Sequence, residues 1–197
     1  MATFIMLPDG VTGTNEWKNP SHGTCAAGNV DNDNGDTDYC YETTSGHEIT
    51  FAMADPSVAE SAISSIQSVK ITMSTKYTAT SGFATRIISS MTGTGISNGS
   101  NTHFSLANNT YATTHGALEA YATGTTNWTY TNLEDLKIKL DKYTNTVTRT
   151  SVRVSYLYVT VVYVPAGYGN SVMGVDSGDI ASVNGVATAN ISKVNGV

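Results

Sequence analysis

Val152-Arg153-Val154-Ser155-Tyr156-Leu157-Tyr158-Val159-Thr160-Val161-Val162-Tyr163-Val164 is the stretch on which the fold reading turns. It alternates with period two. Val152, Val154, Tyr156 and Tyr158 fall on one face, and Leu157, Val159 and Val161 on the other. β-branched and aromatic residues at that period make a strand. Both faces are apolar in its second half, which places the strand centrally, covered on both sides. At about 3.3 Å per residue it spans roughly 40 Å, the height of a sandwich. Pro165 follows and has no N–H to give, so pairing is expected to end there.

The rest of the chain repeats this signal. Val69, Ile71, Met73 and Tyr77 alternate with Lys70, Thr72, Ser74 and Lys76, one buried face against one wet face. Leu136, Ile138 and Leu140 alternate with Lys137, Lys139 and Asp141, and Phe83, Thr85, Ile87 and Ser89 outline a further strand. Weaker strands are read at Thr3–Leu7, Tyr39–Thr43, Glu48–Met53, Thr102–Leu106 and Leu118–Thr123. One short helix is expected from Pro56 to about Ser65, with Asp55 as cap. A turn of helix fits Asn132–Leu136. About nine strands with Gly- and Asn-rich connections make an all-β chain, an antiparallel jelly-roll-like β-sandwich over residues 1–165. Residues 13–35, a polar stretch with few apolar residues, read as a long surface loop.

Composition narrows the function classes. The 197 residues are 40% hydrophobic and only 13% charged, about half the usual charged share. The formal net charge of -6 argues against a nucleic-acid binder, which needs clustered Lys and Arg. No apolar run approaches the roughly 20 residues of a membrane helix. Met1 to Gly10 lacks a basic segment followed by a long apolar one, so no secretory signal is read. Thr, Ser, Asn and Gly crowd the chain, giving a surface of hydroxyls and amides that is cheap to desolvate against another protein.

After Pro165 the character changes. Residues 166–197 read as a linker and an extended C-terminal tail containing a repeat: Ile180 to Val186 (IASVNGV) recurs as Ile191 to Val197 (ISKVNGV). Each copy places Asn-Gly between valines, a strong hairpin signal. Two such hairpins cannot form a core of their own. Ile180, Val183, Val186, Ile191, Val194 and Val197 therefore need a surface, either on their own domain or, as preferred here, on a neighbouring subunit.

The search for chemistry finds little. Gly95 to Gly99 (GISNG) matches a nucleophile elbow, but Ser100, Asn101 and Thr102 do not open an amphipathic helix. His22, His47, His103 and His115 are scattered, and Glu134 and Asp135 are adjacent and diverge on a strand. An enzyme is therefore the class least supported, and no cofactor is expected. One exception is calcium: Asp31, Asp33, Asp36 and Asp38 crowd around Gly35, which suits a hard cation. A solvated acidic turn is the simpler account, and the EF-hand register fails. Cys25 and Cys40 bracket this stretch. A disulfide there would contribute on the order of 3 kcal/mol, while the cytosolic default is two free thiols; the pairing is left open. Trp17, Trp128 and Tyr130 are candidates for stacking on a glycan.

Three segments together resemble β-sandwich modules among the structural proteins of tailed bacteriophages. They are Asn34 to Tyr39 (NGDTDY), Thr123 to Trp128 leading into Leu133 to Leu140, and Thr150 to Tyr163 (TSVRVSYLYVTVVY). The Val-Asn-Gly-Val repeats are similar to the tails of phage virion proteins. The resemblance implies a non-enzymatic virion component on the particle surface, present in the host cytoplasm during assembly. Its expected partners are copies of itself and other virion proteins such as the major capsid protein. A carbohydrate- or receptor-binding module of a tail appendage, and a filament subunit completed by its tail, are the alternatives.

Overall fold

The computed structural model describes residues 1–78, 85–96, 102–105, 109–116, 119–144, 151–166, 182–183 and 186–187. Its strands are β1 (Ala2–Met6), β2 (Pro8–Asn15), β3 (Cys40–Glu42), β4 (Glu48–Met53), β5 (Ile63–Thr78), β6 (Thr85–Thr92), β7 (Thr102–Ser105), β8 (Ala112–His115), β9 (Lys137–Thr144), β10 (Ser151–Pro165), β11 (Ser182–Val183) and β12 (Val186–Ala187). Among the described residues there is one α-helix, α1, spanning Tyr130–Glu134.

Two five-stranded antiparallel sheets face each other. One has the order β1-β10-β5-β8, with β3 also pairing β10; the other runs β2-β4-β9-β6-β7. From β1 to β10 every connection except the β6–β7 hairpin passes from one sheet to the other, as in a jelly roll. The core lies between the sheets. Phe4, Met6, Val69, Ile71, Met73, Val152, Val154, Leu157, Val159 and Val161 are buried from one side; Ile49, Phe51, Ile87, Met91, Ile138 and Leu140 meet them from the other. The β-sandwich expected from the alternation is the observed fold.

β10 is central, between β1 and β5, but its faces differ from the simple alternation. A bulge between Val154 and Tyr156 inserts Ser155 and resets the register. Val152 and Val154 thus share the inner face with Leu157, Val159 and Val161, while Tyr156 and Tyr158 turn outward to join Arg153. Pro165 still pairs with Ile63, and the Ala166 amide donates to the Ala62 carbonyl at 2.9 Å, so pairing runs one residue past the expected stop.

Other local expectations also change. The helix expected from Pro56 to about Ser65 is absent: a 3-10 turn occupies Glu60–Ala62, and β5 begins at Ile63. Pairing Ile63, Ser65 and Ile66 against β10 outweighs a weak local helix preference. At Leu118–Thr123 the described residues form only isolated bridges, Val69 with Glu119 and Thr123 with Thr126. The polar stretch 13–35 is not a free loop. Its first residues complete β2, and Trp17, Cys25 and Val30 are buried. No helix among the described residues is long and apolar enough to cross a membrane.

Candidate functional site

The outward faces of the two sheets are chemically different. On the sheet containing β4 and β9, Glu48, Thr50, Lys137, Lys139 and Asp141 alternate outward, and Lys139 pairs with Glu48 across the strands. That face is an ordinary solvated one. On the other sheet, Thr72, Ser74 and Lys76 of β5 point away from the core yet are buried. The expected wet face is covered.

Over Lys76 the cover is the acidic segment between Val30 and Tyr39, together with the Tyr111 ring 4.4 Å from Nζ. The Val30 carbonyl accepts from the Leu157 amide at 2.8 Å, which docks the segment on β10. Asp36 accepts from Lys76 Nζ through both oxygens, at 2.5 and 2.6 Å, and from Arg153 Nη1 at 2.8 Å. The Lys76 hydrogen bond, with the charges of Lys76 and Arg153, holds the Asp36 carboxyl below its ordinary range against the opposing effect of burial. Ser155 Oγ donates to Asp33 at 3.3 Å, Asn29 Nδ2 to Asp38 at 2.5 Å, and Asn32 Nδ2 to Asp31 at 2.8 Å. The four carboxylates expected as calcium ligands thus face separate protein donors. Among the described residues no three His, Cys, Asp or Glu side chains converge on a metal position. In this arrangement the acidic cluster clasps the segment to the sheet.

Beside the clasp the surface opens into a cavity of about 240 Å³ lined by His22, Tyr39, Tyr41, Thr43, Ser151 and Arg153. β3 supplies Tyr41, which stands opposite Arg153 in the ladder with β10. The backbone of Lys18 bonds that of Tyr41 in both directions, at 2.8 and 2.9 Å. Tyr39 and Tyr41 lie 6.0 Å apart and tilted by 57°, and His22 meets Tyr41 edge-on, also at 6.0 Å. The Arg153 guanidinium sits 4.6 Å over the Tyr39 ring. It is therefore fixed between an aromatic face and a carboxylate, with about a quarter of its side chain open (26%). A disulfide joins Cys25 to Cys40, Cα atoms 5.5 Å apart, and ties the start of β3 to the segment carrying His22.

A buried polar network supports the Thr43 wall. Lys142, fully buried, donates from Nζ to the Thr43 carbonyl. Glu42 Oε1 accepts from the Thr43 and Thr44 amides at 2.6 Å each, and its other oxygen lies 3.3 Å from His47 Nδ1. Burial pushes the Lys142 amine down, and the Glu42 charge opposes this. The ammonium is closed off from solvent, so its role is to hold the turn after β3.

The tryptophans expected as glycan platforms are not available for stacking. Trp17 and Trp128 are buried, and their indole N–H groups donate to the His47 carbonyl at 3.2 Å and the Glu119 carbonyl at 3.0 Å. Tyr130 Oη donates to the Val58 carbonyl at 3.1 Å, and Tyr130 lines a separate cavity, also of about 240 Å³, that Trp128 borders too. Trp17, Trp128 and Tyr130 form no common surface because both indoles are needed as core. Asp135 caps the turn at Thr94, and His115 Nδ1 lies 3.1 Å from Thr72 Oγ1. Ser97 and Gly99 of the elbow-like motif lie outside the described residues, as do Ile180, Ile191, Val194 and Val197 of the tail. In the tail, Val183 pairs with Val186 and Ser182 with Ala187, a hairpin register at the first Asn-Gly.

Sequence reasoning missed His22, Tyr39, Tyr41 and Arg153 as a group. The available signal was period two: Tyr39 and Tyr41 alternate with the buried Cys40, and Arg153 lies between two buried valines.

No family model matches the chain, and no curated protein matches it. Among solved structures it is similar to the CBM36-1 domain of a multidomain xylanase from the hindgut metagenome of Trinervitermes trinervoides. The identity is 9% and the TM-score 0.42, over 82% of this chain and 97% of that one. At that distance neither a ligand nor a residue role is carried across.

Proposed function

We propose that this chain is a non-enzymatic structural subunit of a tailed-bacteriophage virion, decorating or reinforcing the capsid or tail through contacts between subunits. The observation that carries this reading is the separateness of the tail hairpin. Among the described residues β11 and β12 pair only with each other and join neither sheet of the sandwich. Among the described residues the buried core runs from Phe4 to Val161. A two-stranded hairpin alone in water is marginal, so one that follows a closed sandwich finds its stability against something else. Neighbouring copies and the major capsid protein are the partners this reading assigns. The phage resemblance of Asn34–Tyr39 and Thr150–Tyr163 supports the same assignment.

Gradient-purified particles from the phage encoding this chain provide the test. Mass spectrometry should find the chain with the capsid fraction at a fixed copy number per major capsid protein. Recovery only from the soluble lysate, with intact particles lacking it, would overturn the reading.

A further inference from the structure

We propose that the cavity between Tyr39, Tyr41, His22 and Arg153 is a saccharide site that takes a single uncharged pyranose ring. This goes beyond the structural role and holds whether or not the chain sits on a particle.

The chemistry of the walls sets the ligand class. A sugar ring presents C–H groups on its faces and hydroxyls at its rim. Tyr39 and Tyr41 are partly exposed rings tilted by 57°, which suits contact with an apolar ring face. Thr43, Ser151 and the tyrosine hydroxyls supply groups that both donate and accept, matching sugar hydroxyls. The Arg153 fork adds directed donors. It is already oriented by the Tyr39 ring and by Asp36, so binding does not have to order it.

Charge then selects within the class. Among the described lining residues Arg153 alone carries a permanent charge; Asp36 is shared between it and Lys76, and Asp33 and Asp38 of the same segment add negative charge beside the cavity. A guanidinium set among these carboxylates offers its remaining N–H groups to hydroxyl oxygens but little net attraction for an acidic sugar. Size selects further: about 240 Å³ falls below the roughly 300–1,000 Å³ of drug-sized sites, so the occupant is one ring, not a longer chain lying in a groove.

The site is also built to be rigid. The Cys25–Cys40 disulfide, the Lys142 and Glu42 bonds to the turn at Thr43, and the Asp36 clasp each fix one wall.

The test is amide-resolved NMR titration of the full chain with glucose, galactose, mannose and N-acetylglucosamine in turn, and with glucuronic acid as the charged control. At least one neutral sugar should shift the Tyr41, Thr43 and Arg153 amides, with a dissociation constant on the order of 1 mM, typical for so small a ligand. Tyr39→Ala should weaken that binding at least tenfold. Thr43→Val, at the rim and tolerant of folding, should weaken it about threefold if Tyr39→Ala unfolds. Three results would overturn the proposal: no neutral sugar shifts these amides, the shifts fall elsewhere, or only glucuronic acid binds.

Discussion

Asp135 shows how much a single exposed side chain can organise. Its carboxylate accepts from the Thr94 amide at 2.7 Å, Thr94 Oγ1 at 2.6 Å and Lys137 Nζ at 2.6 Å. Next to Thr94, Gly93 takes φ +148°, and a methyl group there would overlap the Asp135 carbonyl oxygen. Only glycine closes this turn onto the residue that caps it. The Lys137 hydrogen bond, followed by those from Thr94, holds the Asp135 carboxyl far below its ordinary range. A carboxyl depressed in the folded state stabilises above its unfolded value, near pH 4, and that stabilisation is lost as pH falls through the acid range. Asp135→Asn should therefore lower stability at pH 7, by at most about 1 kcal/mol because the group is exposed. The difference from the parent should shrink at pH 3. Urea denaturation at the two pH values checks this, and a gap that widens in acid would contradict it.

At the scale of elements, β3 is three residues long yet holds much of the candidate site. It pairs with β10 over Val152, Arg153 and Val154 and is tethered by the disulfide at Cys40. Replacing both cysteines with serine, or reducing the protein, reopens a 15-residue loop, for which chain entropy gives about 3 kcal/mol. In a domain of this size that is roughly 6–12 °C in melting temperature. A thermal scan with and without reductant measures it; a shift under about 2 °C would mean that the clasp alone holds the segment.

The same elements mark what could be read without the structure. β4, β5, β9 and β10 were legible because a buried face and a wetter one leave a period-two trace. The helical turn near Leu133 was legible too. Thr129 and Asn132 cap each other, side chain to backbone, at 3.2 and 2.8 Å. β2 was hidden by Pro8, Gly10 and Gly13, which read locally as turns. The bulge at Ser155 was invisible because no residue announces it, and it alone decides that Tyr156 and Tyr158 face outward. The candidate site was the least legible part. Arg153 and Asp36 stand 117 residues apart and meet only once the sheet order is known.

For the molecule as a whole, the division of labour between sandwich and tail is the consequence most open to experiment. Every described contact between the sheets lies before Pro165, and the Ala166 amide, bonded to the Ala62 carbonyl, is the last one tied to the sandwich in the described chain. Removing residues 167–197 discards the six large aliphatic side chains of the two repeats and leaves in place every buried core residue among the described ones. If the tail serves neighbouring subunits, the truncated chain should melt cooperatively within about 2 °C of the parent. Its sedimentation should change far more: the parent should form the larger species, and the truncated form a monomer. The two measurements separate three arrangements. An unchanged melt with lost association fits a tail that serves neighbours. A large fall in melting temperature would mean that the repeats pack on their own sandwich, and unchanged sedimentation would move the subunit contact to the sandwich surface.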